Sequence, residues 1–389
     1  MWSFAPLSPV DSPDARRYNR IHRRLSMADV GLGLGLMLVL LLTGWSQSLR
    51  DLAFRVARGQ NYLLALFVYL FFLTLLSKAL GLGIDTYGFR LEHQYHLSNQ
   101  RWRGWMWDEL KGLFVSLVIS AILAEIFYFL VRTFPQSWWV LAWAAFTALF
   151  VLFAQIAPVV LFPIFYKFKP LENSELRDRL TRLSEQAGTR VRGVYEWNLS
   201  EKSRKANAAL TGWGATRRII LSDTLLASYT DDEIEAVLAH ELGHHVRRHI
   251  LKSMIVQAVI TFAGFWVLKW VLRWAVLRQE WFISQYDFSN LPLIILVTTV
   301  LSLALMPLLN AFSRVNERQA DRYAWQSIGV VAPFISAMNK LAEQNLAERK
   351  PSRIVEILFH SHPPIAKRIA AAEAWATARP ANFPHSQPS

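Results

Sequence analysis

The sequence Ala239-His240-Glu241-Leu242-Gly243-His244-His245 carries two histidines four positions apart, with a glutamate directly after the first. On a helix, His240 and His244 lie on one face about one turn apart, a spacing that lets two imidazoles bind one zinc ion. Glu241 can then serve as the general base toward a zinc-bound water. The preceding Thr230-Asp231-Asp232-Glu233 resembles a helix N-cap followed by an acidic first turn, which predicts that the motif is helical.

An ordinary helix with chance histidines is the alternative to a zinc site. His245 and His249 are also four apart, but no glutamate follows His245, so we expect both to lie behind the ligands or at the surface. The chain has no cysteine, which excludes disulfides and thiolate ligands. Any metal ion must therefore be held by histidines and carboxylates.

A second stretch, from Ser313 to Asp321, supplies carboxylates at helical spacing. Glu317 and Asp321 are four apart and share one helix face. A carboxylate ligand from a neighbouring helix would leave the fourth zinc position to water, which is the catalytic arrangement. Asp321 could accept the free N–H of a ligating imidazole and fix its tautomer. Alternatively, Glu317 only forms ion pairs with arginines on the helix surface.

A further histidine lies in His360-Ser361-His362-Pro363-Pro364, six residues before Arg368. The two prolines keep the backbone extended, so His362 is presented from a rigid loop. An imidazole there could donate a hydrogen bond to the oxyanion of a tetrahedral intermediate. Alternatively, His362 caps the helix that begins near Ile365.

Composition indicates a membrane protein. Of 389 residues, 53% are apolar, and 16 are tryptophan and 24 phenylalanine, which is too apolar for a soluble chain of this length. A net charge of +13 would suggest nucleic acid as the partner of a soluble protein. Here the basic residues cluster at the ends of apolar runs, so we expect a lipid bilayer and no nucleic acid.

Six apolar segments are long enough to cross a bilayer. They are Ala28–Trp45, Tyr62–Leu82, Leu113–Val131, Trp138–Phe165, Met254–Val276 and Leu291–Phe312. The sequence thus predicts a mainly α, polytopic membrane protein with about six transmembrane helices. An even number of spans returns both polar regions of the chain to the same face, as a shared site requires.

These segments divide the chain into six parts. We expect a basic N-terminal segment (1–27), a membrane domain of four spans (28–165), the first part of a zinc domain (166–253), two further transmembrane helices (254–312), the second part of the zinc domain (313–380) and a disordered tail (381–389). The five arginines between Arg16 and Arg24 favour a cytoplasmic N-terminus and zinc domain. Basic residues such as Arg50 and Lys269 lie on the opposite side and oppose this bias.

The first polar region predicts a helix from Glu175 to Ala187 and strands at Val191–Trp197 and Arg218–Leu221. Between the strands, the stretch from Asn207 to Gly212 is either an extended sheet edge to which a peptide could add as a strand, or a plain hairpin loop. Inside the third span, Glu125 either pairs with a lysine such as Lys78 or faces an internal water-filled cavity.

Several of these separated stretches together resemble the type I CAAX prenyl endopeptidases, which are integral-membrane zinc metalloproteases of the gluzincin group. The similar stretches are Lys169–Leu171, Asn207-Ala208, Arg218–Leu226, His240–His244 with His249, Ser313–Asp321, and His362–Pro364 with Arg368. They follow the family's order over more than half of the chain. The compact loops are typical of a bacterial member, for which the resemblance implies the inner membrane.

The resemblance also implies roles for single residues. It implies zinc ligation by His240, His244 and Glu317, acid–base catalysis by Glu241, oxyanion stabilisation and ordering of the site by His362 and Arg368, and contact with bound peptide by Asn207 and Ala208. One Zn²⁺ per chain is the expected cofactor. Family members enclose a water-filled chamber and cut near the lipidated C-terminus of prenylated proteins.

The resemblance leaves the natural substrate open. Peptides with a lipidated C-terminus and misfolded or other membrane-associated polypeptides are equally compatible with the sequence, the latter implying a quality-control protease. A transporter or scaffold with a structural zinc site is the alternative from a different class. A structural site would normally be closed by four protein ligands and would not need Glu241.

Overall fold

Helices dominate the computed structural model, which describes residues 11–59, 61–212, 217–278 and 281–378. In those residues, six helices are long and apolar enough to cross a membrane, which confirms the predicted polytopic, mainly α fold. They are α1 (Pro13–Leu42), α3 (Tyr62–Gln94), α4 (Trp102–Thr133), α5 (Trp138–Ile156), α10 (His249–Leu277) and α11 (Leu291–Ile328). The predicted disordered tail (381–389) lies outside the described residues.

The first membrane helix begins earlier than the apolar pattern predicts. The Ser12 side chain caps its first turn and Pro13 occupies the first helical position, both common at helix starts. The basic residues of the predicted segment 1–27 that the structure describes therefore belong to the same helix as the span. Gly44, with φ of 75°, separates α1 from the short helix α2 (Trp45–Val56).

The predicted fourth span, Trp138–Phe165, is not one regular helix. After α5 the chain forms a π-helical turn at Ala157–Leu161 and then the short helix α6 (Phe162–Phe165). Pro158 and Pro163 fall in these turns. Since proline lacks an N–H donor and its ring crowds the preceding turn, it interrupts regular α-helical hydrogen bonding here.

The polar regions form a domain of helices around a four-stranded sheet. Its helices are α7 (Ser174–Gln186), α8 (Asp223–Ser228), α9 (Asp231–Val246), α12 (Ala332–Gln344), α13 (Arg353–Phe359) and α14 (Ile365–Thr377). Its strands are β1 (Phe168–Pro170), β2 (Val194–Trp197), β3 (Ala208–Thr211) and β4 (Arg218–Ser222), in the order β1-β2-β4-β3. β2 and β4 are parallel, whereas the other two pairs are antiparallel.

One apolar core joins the two polar regions. Leu180, Ile219 and Leu238 from the first region pack with Ala324 and Phe334 from the second. The membrane helices have a separate core of their own. The two polar regions are separated in sequence by α10 and much of α11, so a shared core requires both on the same side of the membrane, as the even number of spans predicts.

Glu125 does not pair with Lys78. The Lys78 ammonium instead forms ion pairs with Asp85, at 2.6 Å, and with Glu109. The prediction that Lys78 is its partner is therefore wrong, because two other carboxylates bind this ammonium. The Oε2 atom of Glu125 is buried, with no hydrogen-bond partner among the described residues.

Candidate metal centre

Helix α9 carries the histidine motif and starts where its sequence predicts. Thr230 is the N-cap, and its hydroxyl accepts from the Glu233 N–H while the Glu233 carboxylate accepts from the Thr230 N–H. Lys340 and Ser336 also donate to that carboxylate. Burial raises the pKa of Glu233, but these hydrogen bonds outweigh it and hold the pKa below its ordinary value. The start of the motif helix is thereby fixed.

Helix α11 packs closely against α9 at Gly243. A Cβ on Gly243 would lie 2.9 Å from the Ala320 Cα atom, 3.0 Å from the Ala320 carbonyl oxygen and 3.1 Å from the Tyr323 Cβ atom. Glycine at this position of the motif thus allows a close approach that brings Glu317 and Asp321 of α11 over the histidine face of α9.

Three side chains converge between these helices. The Nε2 atoms of His240 and His244 are 3.3 Å apart, and the Glu317 carboxylate lies 3.3 Å from the first and 3.2 Å from the second. His240 and Glu317 are buried and His244 is half-buried. Among the described residues this is the one group of at least three candidate ligands whose atoms lie close enough to share a metal ion.

The spacing of these three ligand atoms fits a metal ion. Zinc bonds of about 2.0–2.1 Å in a tetrahedron place ligand atoms about 3.3–3.4 Å apart. The Glu317 Oε2 atom is buried and, despite its ionic contacts, has no hydrogen bond of good geometry. A buried carboxylate oxygen facing two imidazoles is the environment expected of a cation ligand, and two nitrogens with one oxygen suit zinc.

Asp321 and Arg368 lie behind His240. The Asp321 carboxylate is 2.9 Å from His240 Nδ1, and Arg368 binds that carboxylate through two nitrogens, at 2.5 and 2.9 Å. Asp321 thus contacts the imidazole nitrogen that faces away from the three-residue cluster. Burial lowers the pKa of His240, but the contacts with Asp321 and Glu317 outweigh it and raise the pKa to about 9. A metal ion must therefore displace a proton from this ring at neutral pH.

His362 contacts the cluster from a different element. Its Nδ1 atom is 2.7 Å from Glu317 Oε2, and 60% of its side chain is exposed. Helix α14 has Pro364 as its N-cap and no side-chain cap hydrogen bond, so His362 does not cap that helix. The histidine instead reaches the carboxylate of the candidate metal site while keeping an accessible ring edge.

Sequence reasoning missed Arg314, for which it offered only surface ion pairs. Arg314 is 8% exposed, and its Nη1 atom donates to the carbonyls of Glu356, at 2.9 Å, and His360, at 2.7 Å. These carbonyls lie at the end of α13, directly before the loop that carries His362. Arg314 lies three positions before Glu317 on α11, so the two side chains share one helix face, which is buried here.

Ala208 is the first residue of β3 and Asn207 directly precedes it; β3 is an edge strand and not a hairpin loop. The Ser222 N–H donates to the Asn207 carbonyl at 3.0 Å, so Asn207 bonds toward β4. Because hydrogen-bonding direction alternates along an antiparallel pair, the main-chain groups of Ala208 and Leu210 point to the free edge. The Asn207 side chain is exposed.

A cavity of about 480 Å³ opens onto the cluster. Its polar part includes Glu241 and His362, together with the end of β3 at Leu210 and Gly212. Its far part is lined by side chains of the membrane helices. These include Phe150 and Ala154 of α5 and Ile250 and Met254 of α10. One continuous space therefore joins an edge strand, the candidate metal site and the ends of two membrane helices.

Two family models match nearly the whole chain. Residues 170–376 match peptidase family M48, and residues 8–167 match the CAAX prenyl protease N-terminal model, described as five membrane helices. In the described part of that N-terminal region, four helices are long and apolar enough to span a membrane.

Relatives and a solved structure agree with these matches. An uncharacterized metalloprotease, YhfN, of Bacillus subtilis is 31% identical over 94% of this chain and 86% of its own length. CAAX prenyl protease 1 of Saccharomyces cerevisiae is 29% identical over 78% of this chain and 71% of its own. The crystal structure of S. mikatae Ste24p has the same fold, with a TM-score of 0.85, 24% identity, and coverage of 96% of this chain and 92% of that one.

Proposed function

This chain belongs to peptidase family M48 and is a multi-pass membrane metalloendopeptidase, and we propose that it hydrolyses peptide bonds of membrane-associated polypeptides with one zinc ion held by His240, His244 and Glu317. The observation that carries the proposal is the mutual spacing of these ligand atoms, 3.2–3.3 Å, beside Glu241 in one cavity. Three protein ligands also argue against a closed structural zinc site, which would need four.

Zinc in this position would act as a Lewis acid that makes a water molecule acidic enough to attack a carbonyl at neutral pH. The residues of the chain then handle the proton and the charge. Glu241, directly after the first ligand and half-buried in the cavity, accepts the proton of the attacking water and returns it to the leaving amine. Asp321 keeps the His240 hydrogen on Nδ1, so Nε2 stays free for the metal.

His362 and Arg368 have different parts in this proposal. The His362 ring is held at Nδ1 by Glu317 and exposed elsewhere, so its other nitrogen is available to donate to the oxyanion of the tetrahedral intermediate. Arg368 is bound to Asp321 behind His240. We therefore propose that Arg368 orders the site through Asp321 and does not contact the oxyanion.

We propose that the substrate main chain binds along the free edge of β3. The main-chain N–H and C=O groups of Ala208 and Leu210 point along this edge, away from β4, and β3 packs against α9, which carries the motif. An extended peptide added there as a further strand would run past the metal site and be recognised largely through its backbone. The exposed Asn207 side chain lies at one end of this edge.

The apolar far part of the cavity favours substrates with an apolar or lipidated segment. Phe150, Ala154, Ile250 and Met254 offer an apolar surface that continues from the metal site to the ends of α5 and α10. A polypeptide with a lipidated C-terminus, or with an apolar segment emerging from the bilayer, would bury that part there. The CAAX prenyl protease relatives favour the first of these substrates, and removal of misfolded membrane polypeptides is the second candidate function.

We also propose a cytoplasmic face for the metal domain, in the inner membrane of a bacterium. The N-terminal half of α1 contacts this domain, since Arg23 pairs with Glu348 at 2.5 Å. The arginines of that half therefore lie on the same side of the membrane as the metal site, and arginine-rich ends favour the cytoplasm.

Metal analysis and peptide cleavage, measured on the same preparations, test the proposal. Wild-type protein should hold one zinc per chain, and Glu317→Ala should lose both zinc and cleavage at matched chelator concentration. Unchanged zinc content in Glu317→Ala would remove Glu317 from the site. Comparing the proteomes of membranes that contain wild-type protein or Glu241→Gln would identify substrates, as C-terminal fragments that depend on Glu241.

A further inference from the structure

His249 is buried directly behind the second candidate zinc ligand. It is 3% exposed, and its Nδ1 atom lies 3.1 Å from His244 Nδ1. Residues five apart on a continuous helix point about 140° away from each other and could not make this contact. The contact exists because Arg248, at φ of 55°, breaks the helix after Val246 and starts α10 in a new direction.

The other ring nitrogen of His249 is also occupied. His249 Nε2 lies 3.0 Å from the Oε1 atom of Gln319, which follows Glu317 by two positions on α11. His244, His249 and Gln319 thus form an unbroken line of hydrogen bonds from the candidate metal site to a third helix. The line contains no carboxylate and no arginine, whereas His240 is supported by the charged pair of Asp321 and Arg368.

Only one arrangement of hydrogens in this line is compatible with a metal on His244. A ligating Nε2 must present a lone pair, so the hydrogen of the neutral His244 ring is on Nδ1. That N–H donates to His249 Nδ1, which must then be the bare nitrogen of its ring. The His249 hydrogen is consequently on Nε2 and donates to the Gln319 amide oxygen, which can only accept.

We infer that His249 is a positioning residue for the zinc ligand His244, and that Gln319 fixes the tautomer of His249. The inference rests on the proposed metal site and extends it to the helix break. Groups that hold a ligating histidine in its tautomer and ring orientation contribute about 10–100-fold to metal affinity. His249 is the first residue of membrane helix α10, so its hydrogen bonds connect this helix to the metal domain. Metal binding should therefore also order the break between α9 and α10.

Zinc affinity, measured by competition with a chelator, tests this inference without relying on catalysis. His249→Leu removes the acceptor for His244, and we expect zinc affinity to fall about 10–100-fold. His249→Asn keeps an acceptor oxygen near the Nδ1 position and should restore most of that loss. His93→Leu is the matched control, because both nitrogens of His93 are also hydrogen-bonded, at 2.8 and 2.9 Å, but to backbone carbonyls in another part of the chain.

Proteolysis supplies a second measurement. Arg247 and Arg248 are exposed at the helix break, so trypsin can report on its order. Zinc should slow cleavage at these two arginines in wild-type protein and in His249→Asn, and should have little effect in His249→Leu. If zinc slows the cleavage of His249→Leu as strongly as that of wild type, the proposed coupling between zinc binding and order at the helix break is contradicted.

Gln319→Met keeps the experiment decisive should His249→Leu fail to fold. It removes the terminal acceptor with little change in shape, and zinc affinity should fall several-fold. Affinity within twofold of wild type for His249→Leu, or for Gln319→Met where the first variant is unfolded, would overturn the inference. Failure of wild-type protein to bind zinc would instead overturn the proposed metal site, so the two failures are distinguishable.

Discussion

Replacing Gly243 with alanine perturbs the contact that brings the two ligand-bearing helices together. The added methyl carbon would meet the Ala320 Cα atom at 2.9 Å and its carbonyl oxygen at 3.0 Å, both main-chain atoms that no rotamer change can move. Ordinary contact requires about 3.4–4.0 Å between such atoms. Helix α11 must therefore retreat by about 0.5–1 Å, and Glu317 moves with it.

The effects on stability and on metal binding differ in size. Overpacking costs about 1–3 kcal/mol, but alanine is favoured over glycine inside a helix by about 1 kcal/mol, so the net loss of folding free energy should be about 0–2 kcal/mol. Zinc ligand distances tolerate only about 0.2 Å. A displacement of Glu317 several times larger should therefore weaken zinc binding by at least about tenfold.

The assay for Gly243→Ala is zinc affinity by chelator competition, with the melting temperature of the metal-free protein measured alongside. Gly264→Ala is the matched control, because it adds the same methyl group to membrane helix α10, where a Cβ would meet nothing within 4 Å. The control should bind zinc as wild type does. A Gly243→Ala protein with zinc affinity within twofold of wild type would refute the argument that this glycine sets the ligand geometry.

Three further predictions address catalysis, stability and topology. His362→Ala should lower turnover about 100–1000-fold with zinc and fold retained, because the ring acts on the oxyanion; near-normal turnover in zinc-loaded protein would end that assignment. Because the pKa of Glu233 is held below its ordinary 4.5, its carboxylate stabilises the fold above that pH and loses this effect as pH falls through the folded-state pKa. Glu233→Gln should accordingly lower the melting temperature by about 2–4 °C at pH 7, about 1 kcal/mol, and by progressively less as pH falls below 4.5, whereas a loss that does not change with pH would exclude the charged capping role. In a chain without cysteine, single cysteines at Asp14, Glu175 and Ile283 report topology: an impermeant maleimide should label only Ile283→Cys in intact cells, and labelling of either of the others would contradict the cytoplasmic placement.

Local patterns carried much of the prediction. The helix at α9 follows from a capping box and an acidic first turn, all within a few residues of Thr230. The six membrane helices follow from long apolar runs, since a bilayer demands continuous segments of about twenty apolar residues. The absence of cysteine made an oxygen ligand such as Glu317 a candidate, and the family resemblance, not elimination, implied that Glu317 is that ligand.

What escaped prediction depends on contacts between distant elements. The Lys78 ammonium forms an ion pair with Asp85, about two turns along its own helix, and also with Glu109 of helix α4, a contact that no local pattern reveals. The contact between His249 and His244 requires a left-handed residue at Arg248, a position where sequence gives no glycine or asparagine as a signal. The hydrogen bonds of Arg314 to the loop before His362 likewise join residues more than forty positions apart.

The central claim is that a zinc ion held by three side chains works together with Glu241 as the general base. It is tested most directly by measuring zinc content and peptide cleavage on one preparation of Glu241→Gln, beside wild-type protein. We expect one zinc per chain in both proteins and loss of nearly all cleavage in the variant, because glutamine cannot accept the proton of the attacking water. Cleavage by zinc-loaded Glu241→Gln at a rate close to that of wild type would contradict the account.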